Sequence, residues 1–509
     1  MNLTLSEIAS AVGAEPLDGP VGDVRATGMT WDSRAVAPGD LYAALPGERV
    51  DGHDFADSAV DAGAVAILAN RPLDVAVPVI VVSDTVRALT RLAAHWRGCL
   101  TSTVIGVTGS SGKTTTKNLI RDVLSHELSV VATKANQNNE LGVPATLLAA
   151  DVDTQAVVVE MGMRGEGQIT ALAELARPNW GLVSNVGTSH IELLGSREAI
   201  AHAKAELYEA LPDGSGLAFV NADDDYAVDM CEWARLEERG VQAVYYSAGG
   251  TSVVDVCSTI AGGGTTMAVE QTSTTDVPPA AGVPRDAPFV WASDVSLDGE
   301  GRPTFTINAV GFEQIELDEA NGSCSCTLEL RGLHNVSNAC AAAAVGLGCG
   351  MTIESCCAAL EAARPAAGRQ RVCKTSAGVV VIDDAYNANP DSMAASLSTF
   401  AAFDAPGRRV AVLGDMLELG DYAGVSHERV GELAASLGVD RLICVGSLSR
   451  LMAEAACGAG MSPDAVSTCD DADAAFALLE QVGLEDGDAV LVKASHSIGL
   501  ERVVEGLVN

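Results

Sequence analysis

The sequence predicts an α/β protein of three domains, with a mostly parallel sheet in the central domain and an open, Rossmann-like α/β unit at the C-terminal end. Three observations support this. The chain of 509 residues is too long for a single hydrophobic core. Apolar runs of strand length alternate with helical patterns, as in right-handed βαβ units. Apolar residues make up 48% of the chain and charged residues 19%, which is typical of a well-packed protein.

The charge balance and the apolar runs exclude several classes of partner. Lys and Arg number 31 and Asp and Glu 68, and the net charge of −37 disfavours nucleic acid and anionic membranes. An acidic proteome or a saline habitat explains this charge as well as any function does. No apolar run reaches the length of a membrane span, and the first residues do not resemble a signal peptide. Thirteen scattered cysteines, without paired zinc spacing, indicate reduced thiols in a cytoplasmic protein.

The first unit, residues 1–100, is predicted to begin with a short amphipathic helix and to continue with strands near 64–68 and 77–82. Residues 32–34 (Asp-Ser-Arg) and 47–49 (Gly-Glu-Arg) bring hydroxyls, cations and glycine to loop ends. Such loops suit the binding of phosphate or sugar. Ordinary exposed turns are an equally good interpretation of the same residues.

Residues 104–117 form the segment around which the other motifs are arranged. A β-branched strand breaks into a Gly/Ser turn and continues as a helix, the order found in phosphate-binding loops. Gly109 and Gly112 allow backbone N–H groups to surround an anion, and the helix directs its positive end towards it. Lys113 is then expected to reach the β- and γ-phosphates of a nucleotide, and the Thr114 hydroxyl to hold Mg²⁺. The alternative, a plain strand–helix turn with a surface lysine, rarely shows these residues in this order.

Other segments of the second unit, residues 101–365, carry polar groups of interest. Asn138 and Asn139 belong to an asparagine-rich loop, which is either a turn scaffold or a ligand clamp. Glu160 ends an apolar strand, where a second magnesium ligand is expected. His190 follows another strand, and a structural histidine and a ligand are equally good interpretations of it.

The remaining chain is predicted to contain an insertion, a helix and a second α/β domain. The Gly-, Thr- and Pro-rich residues 258–288 indicate a flexible surface insertion without a catalytic role. Residues 290–297 and 303–311 alternate like antiparallel strands. Asn335 and Asn338 lie three residues apart at the start of an Ala-rich helix and therefore face the same way. Residues 366–509 give four strands separated by helices, typical of an open α/β domain. Residues 414–420 lack the glycine spacing of a dinucleotide site.

Together these motifs resemble those of the ATP-dependent Mur ligases, which build the peptide of peptidoglycan. The markers are W-D-S-R, T-G-S-S-G-K-T-T-T-K, N-Q-N-N-E-L-G-V-P, E-M-G, the S-H-I-E turn, A-K-A-E-L, H-N-V-S-N and D-D-A-Y-N-A-N-P-D-S-M. The resemblance covers nearly the whole chain apart from the insertion. Y-N-A-N-P, and Ser-His where a relative has Asp-His, match the branch of the family that adds D-alanyl-D-alanine to a UDP-muramoyl tripeptide.

The resemblance implies a UDP-substrate domain, a central ATPase and a C-terminal domain for the incoming dipeptide. It implies ATP and Mg²⁺ as cofactors, the UDP-muramoyl tripeptide and D-alanyl-D-alanine as substrates, and a monomer. The residues matched to nucleotide binding are Gly109, Ser110, Ser111, Gly112, Lys113, Thr114, Thr115, Asn335, Asn338, Arg369 and Asp384. Those matched to substrate binding are Ser33, Arg34, Asn138, Asn139 and Asn387. Those matched to metal binding are Thr114, Glu160, His190 and Lys204, the last being the position that is carbamylated in the family. On its local pattern alone Lys204 is more typical of a solvated helix residue, and the resemblance reverses that interpretation. The expected catalytic groups are Lys113, Glu160, His190 and Lys204.

The implied chemistry agrees with the residues. Phosphorylation would convert the tripeptide's terminal carboxylate, a poor electrophile, into an acyl phosphate that the dipeptide amine attacks, so no nucleophilic side chain is needed. One position departs from the family. His496 stands where the family usually has Arg, and a neutral imidazole cannot replace a bidentate guanidinium.

Two rival functions remain open on the sequence alone. Folylpolyglutamate synthase has a similar ATPase core, although the N-terminal Asp-Ser-Arg segment and Y-N-A-N-P argue against it. A P-loop switch or motor would hydrolyse ATP without an amino-acid acceptor. Phosphate release measured with and without the two ligase substrates separates all three.

Overall fold

The structure has the predicted α/β architecture, with a small N-terminal sheet, a central sheet and a C-terminal sheet. This computed structural model describes residues 1–17, 19–47, 50–249, 284 and 286–508. Most of the predicted insertion at 258–288, and Glu48 and Arg49 of the Gly-Glu-Arg loop, lie outside the described residues. Over the ranges described, no helix combines the length and apolar character needed to cross a membrane.

The N-terminal unit is built on a parallel sheet of four strands in chain order, β3 to β6, beside an antiparallel pair, β1 and β2. Its strands are β1 Leu3–Thr4, β2 Arg25–Ala26, β3 Gly28–Thr30, β4 Asp40–Ala43, β5 Ala66–Ala69 and β6 Val79–Val81. Its helices are α1 Leu5–Val12, α2 Ala56–Asp61 and α3 Thr85–Arg97. The predicted first helix begins after Thr4 because Thr4 and Glu7 form a reciprocal capping box.

The central unit is a nine-stranded sheet in the order β15-β14-β13-β12-β11-β10-β7-β9-β8. Its strands are β7 Thr103–Thr108, β8 Val130–Ala132, β9 Ala156–Glu160, β10 Trp180–Val183, β11 Leu217–Asn221, β12 Gln242–Ser247, β13 Phe289–Leu297, β14 Pro303–Val310 and β15 Gly322–Thr327. Its helices are α4 Lys113–Leu124, α5 Gly142–Ala149, α6 Gln168–Ala176, α7 Ile191–Leu194, α8 Arg197–Glu209, α9 Ala227–Trp233, α10 His334–Gly348 and α11 Ile353–Ala362. Strands β13, β14 and β15 pair antiparallel and the others parallel, which confirms the predicted antiparallel pair of β13 and β14.

The strand order brings three loops to one edge of the central sheet. Strand β7 lies between β9 and β10, all three parallel, so their carboxyl ends lie side by side. The Gly/Ser loop follows β7, Glu160 ends β9, and the turn that carries His190 follows β10. The Ala-rich α10 packs on α4, because a run of small buried side chains lets the two backbones approach closely.

The C-terminal unit is a six-stranded sheet in the order β16-β17-β21-β18-β19-β20. Its strands are β16 Arg371–Lys374, β17 Val380–Asp383, β18 Arg409–Gly414, β19 Arg441–Val445, β20 Val466–Cys469 and β21 Ala489–Lys493. Its helices are α12 Pro390–Ala402, α13 Ala423–Ser436, α14 Ser449–Gly458, α15 Ala472–Val482 and α16 Glu501–Val508. The prediction of four strands was wrong by two, because β16 and β20 are short, partly polar edge strands without a strong apolar pattern.

Candidate active site

The Gly/Ser loop after β7 has a backbone that side chains would obstruct. Gly109 has φ +151°, and a Cβ there would overlap the Ser184 side chain. Gly112 has φ +75°, and a Cβ there would lie 2.9 Å from Asn338 Oδ1. Glycine is therefore required at both ends of the loop, by conformation and by close approach.

The loop is held in place by residues that follow β10. The Ser110 N–H donates to the Asn185 carbonyl at 3.0 Å, and the Ser111 N–H donates to Asn185 Oδ1 at 2.9 Å. Ser184 Oγ in turn donates to the Ser111 carbonyl at 2.7 Å. Sequence reasoning missed Ser184 and Asn185, because their role depends on the neighbouring positions of β7 and β10. The loop is thus preorganised by the adjacent strand.

Lys113 and Thr114 begin helix α4 at the open side of this loop. Lys113 Nζ donates to the Gly109 carbonyl at 2.6 Å, so the ammonium lies against the loop that would hold phosphate. Burial lowers the pKa of Lys113. Thr115, on the same helical turn, lines a cavity of about 330 Å³ beside the loop. Lys113 and Thr114 line a second cavity, of about 690 Å³, between the central and C-terminal units.

Glu160 and Thr114 form the best candidate for a metal site. Thr114 Oγ1 lies 3.3 Å from Glu160 Oε1, and Asn138 donates to the same oxygen at 2.8 Å. The other carboxylate oxygen, Glu160 Oε2, is buried and has no hydrogen-bond partner among the described residues. A hydroxyl and a carboxylate are oxygen donors, which Mg²⁺ prefers. No cluster of three or more His, Cys, Asp and Glu in the described part of the chain could hold a metal, so phosphate or water oxygens would have to complete this site.

Lys117 is a second buried cation near Glu160 that sequence reasoning did not identify. Its Nζ donates to the carbonyls of Thr133 at 2.5 Å and Ala135 at 3.3 Å, and lies 4.0 Å from Glu160 Oε2. These bonds attach α4 to the loop that presents Asn138. The spacing of four residues from Lys113 places Lys117 on the same helical face, and this was the available signal.

His190 and Lys204 belong to the turn and helix that follow β10. His190 has φ +64°, and burial lowers its pKa, so the neutral imidazole is favoured. Lys204 lies in α8 with 1% of its surface exposed, so it is not a solvated helix residue. Burial, and then the charge of Lys113, hold the pKa of Lys204 well below its usual value.

The predicted pair of asparagines faces α4 across the loop. Asn338 Nδ2 donates to Asn335 Oδ1 at 2.9 Å, and Asn335 Nδ2 donates to the Arg331 carbonyl at 2.6 Å. Asn338 Oδ1 accepts from Thr116 Oγ1 at 3.0 Å. Both asparagines line the cavity of about 330 Å³, together with His334. Their amides are therefore held at a cavity wall beside the loop.

The C-terminal unit supplies the opposite side of this cleft. The Arg369 guanidinium lies 4.1 Å from the ring centroid of Tyr386 and 3.5 Å from Thr114 Oγ1. Asp384 Oδ2 accepts from Lys493 Nζ at 2.8 Å and also from Ser396, and Lys493 donates to the carbonyl of Asn387 at 2.9 Å. Asp384 is thus paired with a buried lysine at the cavity edge.

Two motifs from separate units meet directly in the cleft. Asn389 Nδ2, in the Y-N-A-N-P segment, donates to Ser189 Oγ at 2.6 Å. Ser189 Oγ lies 3.2 Å from the Ser110 carbonyl of the loop and donates to it. Asp391 accepts from the Thr188 N–H at 3.4 Å. The C-terminal unit therefore contacts the phosphate-binding loop through the turn that carries His190.

Sequence comparisons agree with this arrangement. The Mur ligase family, catalytic domain, matches residues 25–97, the Mur ligase middle domain matches 107–274, and the Mur ligase glutamate ligase domain matches 368–496. A UDP-N-acetylmuramoyl-tripeptide–D-alanyl-D-alanine ligase of Mycobacterium tuberculosis is 40% identical, over 100% of this chain and 98% of the relative. The chain belongs to the Mur ligase family. An Escherichia coli ligase of the same name is 33% identical to this Mur ligase, over 100% of the chain and 98% of the relative.

Solved structures of related proteins superpose on this Mur ligase over nearly its full length. MurF of Acinetobacter baumannii matches with a TM-score of 0.76 and 28% identity, covering 100% of this chain and 99% of the other. MurF ligase of Thermotoga maritima in complex with ADP matches with a TM-score of 0.69 and 26% identity, covering 94% and 96%. The arrangement of the three units is therefore that of a family whose members have been solved with a nucleotide.

Some predicted residues of this Mur ligase lie apart from the cleft or are engaged in local contacts. Ser33 and Arg34 lie in the N-terminal unit, and the Arg34 side chain is 88% exposed and paired with Asp32. Asn139 Oδ1 accepts the N–H groups of Leu141 and Gly142 at the start of α5, and Asn139 also lines the cavity of about 690 Å³. His496 is exposed and stacks on Tyr386 with ring centroids 5.8 Å apart.

Proposed function

We propose that this Mur ligase joins D-alanyl-D-alanine to UDP-N-acetylmuramoyl-tripeptide at the expense of ATP, in the synthesis of peptidoglycan precursors. The observation that carries the proposal is the meeting of the phosphate-binding loop, Ser189 and Asn389 in one cleft. Ser189 and Asn389 belong to the two motifs that match the D-alanyl-D-alanine-adding branch. Relatives of that name are 33–40% identical over nearly their whole length.

The domain assignment follows the same proposal. Residues 1–100 hold the UDP-linked substrate through Ser33 and Arg34, residues 101–365 bind ATP, and residues 366–509 receive the dipeptide beside Asn387. The resemblance to the Mur ligases supports action as a monomer. ATP and a UDP-linked substrate support a cytoplasmic location.

The residues near the phosphate-binding loop would act mainly by positioning and charge. When bound, ATP supplies the phosphoryl group that activates the tripeptide carboxylate, and Mg²⁺ neutralises phosphate charge. Backbone N–H groups of residues 109–112 would hold the phosphates, while Lys113 and Arg369 would stabilise the charge that develops during transfer. The amine of the dipeptide then displaces phosphate from the acyl phosphate to form the amide.

Thr114, Glu160 and His190 would hold Mg²⁺, and Lys204 would contribute after modification. The lowered pKa of Lys204 favours a neutral amine, which can add to carbon dioxide and release one proton to form a carbamate. The carbamate replaces this neutral amine with an anion whose oxygens suit Mg²⁺. Glu160 Oε2, which accepts no hydrogen bond from the described residues, supports the metal assignment independently.

A phosphate-release assay tests the proposal. Purified protein is given ATP and Mg²⁺ with the UDP-tripeptide, with D-alanyl-D-alanine, with both, or with neither. Ligation requires rapid phosphate release only when both substrates are present, and a product whose mass equals the sum of the two substrates less one water. Release that is indifferent to the dipeptide would instead indicate an ATP-driven switch.

A further inference from the structure

Residues 414–420, which lack the spacing of a dinucleotide site, comprise the last residue of β18 and a braced loop that follows it. The buried Asp415 accepts the Ser449 N–H at 2.7 Å. The Met416 N–H donates to the buried His427 ring at 3.0 Å, and the Leu417 N–H donates to Ser495 Oγ at 3.0 Å. Each of the first residues of the loop is thus anchored to a different part of the C-terminal unit, and the residue that follows them is held in a defined place.

That next residue, Glu418, reaches across to the central unit. Its Oε2 lies 2.6 Å from His190 Nδ1, and its Oε1 lies 3.5 Å from an Arg164 guanidinium nitrogen. The two atoms of the His190 contact are within hydrogen-bond distance, although their geometry is not that of a hydrogen bond. Gly420 allows the loop to pack closely on α7, because a Cβ at this position would lie only 2.9 Å from Glu192 Cγ.

Both residues of this contact adopt backbone conformations that are unfavourable for them. His190 has φ +64° and Glu418 has φ +62°, although neither is glycine. Left-handed conformations of such residues persist only where the surrounding structure holds them, and they concentrate at functional sites. Two such residues, one from each unit, meet side chain to side chain. A surface ion pair formed by chance would not require a left-handed backbone conformation at either residue.

We propose that Glu418 is a positioning residue for His190, a carboxylate from the C-terminal unit that orients the imidazole of a metal ligand in the central unit. The proposal rests on the proposed function, which makes His190 a ligand. A histidine that binds a metal through one ring nitrogen usually donates the other N–H to a carboxylate or carbonyl, which selects the tautomer and the ring orientation. With Nδ1 facing Glu418, Nε2 is the nitrogen left for the metal. The metal site therefore reaches full affinity only when the C-terminal unit is docked.

Metal affinity measured apart from turnover tests this role. Mn²⁺ binding to the enzyme in the presence of the ATP analogue AMP-PNP is followed by electron paramagnetic resonance for the wild type, Glu418→Gln and Glu428→Gln. Glu428 is an exposed glutamate of α13 and serves as the matched control. Loss of the carboxylate should raise the dissociation constant for Mn²⁺ about tenfold in Glu418→Gln, and the control should match the wild type. AMP-PNP affinity measured in EDTA should be equal in all three proteins.

Several results would overturn the proposal. The first is an unchanged Mn²⁺ affinity in Glu418→Gln. The second is an AMP-PNP affinity of Glu418→Gln in EDTA that falls as much as its Mn²⁺ affinity does. The third is a wild-type enzyme that binds no Mn²⁺. Thermal unfolding of each variant shows that the compared proteins are folded, which we expect because the Glu418 side chain is 40% exposed. Glu418→Gln could lose Mn²⁺ affinity selectively while the wild-type enzyme fails to ligate D-alanyl-D-alanine. That result would count against the proposed function and leave the role of Glu418 standing.

Discussion

Lys117 and Lys204 are equally buried lysines of the central unit, and their surroundings differ. Each has 1% of its surface exposed. Lys117 donates to the Thr133 and Ala135 carbonyls and faces the Glu160 carboxylate, whereas the largest charge effect on Lys204 comes from another cation, Lys113. Burial lowers the pKa of both, and that of Lys204 the further. A buried lysine with hydrogen-bond acceptors maintains the architecture, whereas one whose pKa is lowered further by a cation is suited to chemistry as a neutral amine.

Replacing Lys113, the cation whose charge lowers the pKa of Lys204, should have the largest effect on turnover. Lys113→Ala is expected to lower kcat for ligation on the order of a thousandfold, because one ammonium beside the transferring phosphoryl group acts on charge in a desolvated site. Phosphate release measures the loss, and thermal unfolding provides the control for folding. Near-normal turnover in a folded Lys113→Ala variant would contradict the phosphate-binding role of the loop.

Lys204 itself should be the next most sensitive position. Lys204→Ala is expected to lose about a hundredfold in kcat, since it removes the group that would carry the metal-binding carboxylate. Added acetate should restore part of the activity, and it should not rescue Lys204→Arg, which keeps a cation in place. Full activity of Lys204→Ala without acetate would mean that the lysine has no part in the reaction.

Replacing Lys204 or Lys117 with methionine should change the free energy of unfolding in opposite directions. In buffer purged of carbon dioxide, Lys204→Met should raise the free energy of unfolding by about 1 kcal/mol, because it removes a poorly compensated buried amine. Lys117→Met should lower it by about 2 kcal/mol, because two carbonyls lose their donor. The folded pKa of Lys204 lies below the unfolded one, so the gain in Lys204→Met should shrink as pH rises towards the usual lysine value. Urea unfolding at pH 7 and pH 9.5 measures both differences, and equal signs for the two variants would contradict the comparison.

Arg34 is an exposed cation and serves as the reference for the two buried lysines. Its replacement should have the smallest effect on the free energy of unfolding. Its side chain is 88% exposed and pairs with Asp32 alone among the described ion pairs. Arg34→Ala should therefore change the free energy of unfolding by less than about 0.5 kcal/mol. If Arg34 holds the UDP-linked substrate, KM for that substrate should rise several-fold at constant kcat. An unchanged KM would leave the residue as an ordinary surface arginine.

Local patterns predicted most of the central architecture. The β-branched run before the Gly/Ser turn became β7, the helical pattern after it became α4, and the alternating segments became β13 and β14. Strand β15 was missed, because its Gly, Ser and Cys residues carry no β-branched or aromatic signal until the final Thr327. Elements were therefore predictable where the periodicity was strong.

The parts of the site that join separate units were not predictable from one sequence. One hydrogen bond joins Ser189 to Asn389, and one contact joins His190 to Glu418, in each case about two hundred positions apart in the sequence. Spacing rules apply over a few residues, and no local sequence pattern indicates the partner in either contact. The same limit applies to Lys117, whose partners Thr133 and Ala135 become neighbours only when β8 joins the sheet beside β9.

The most direct test of the account is the fate of the oxygen atoms of the tripeptide carboxylate. UDP-tripeptide labelled with ¹⁸O in its terminal carboxylate is turned over with ATP, Mg²⁺ and D-alanyl-D-alanine, and the phosphate is analysed by mass spectrometry or ³¹P NMR. Activation as an acyl phosphate predicts one ¹⁸O in each phosphate formed, and the other in the new amide carbonyl. Phosphate that carries no label, released at the rate of ligation, would contradict the activation of the carboxylate by phosphoryl transfer.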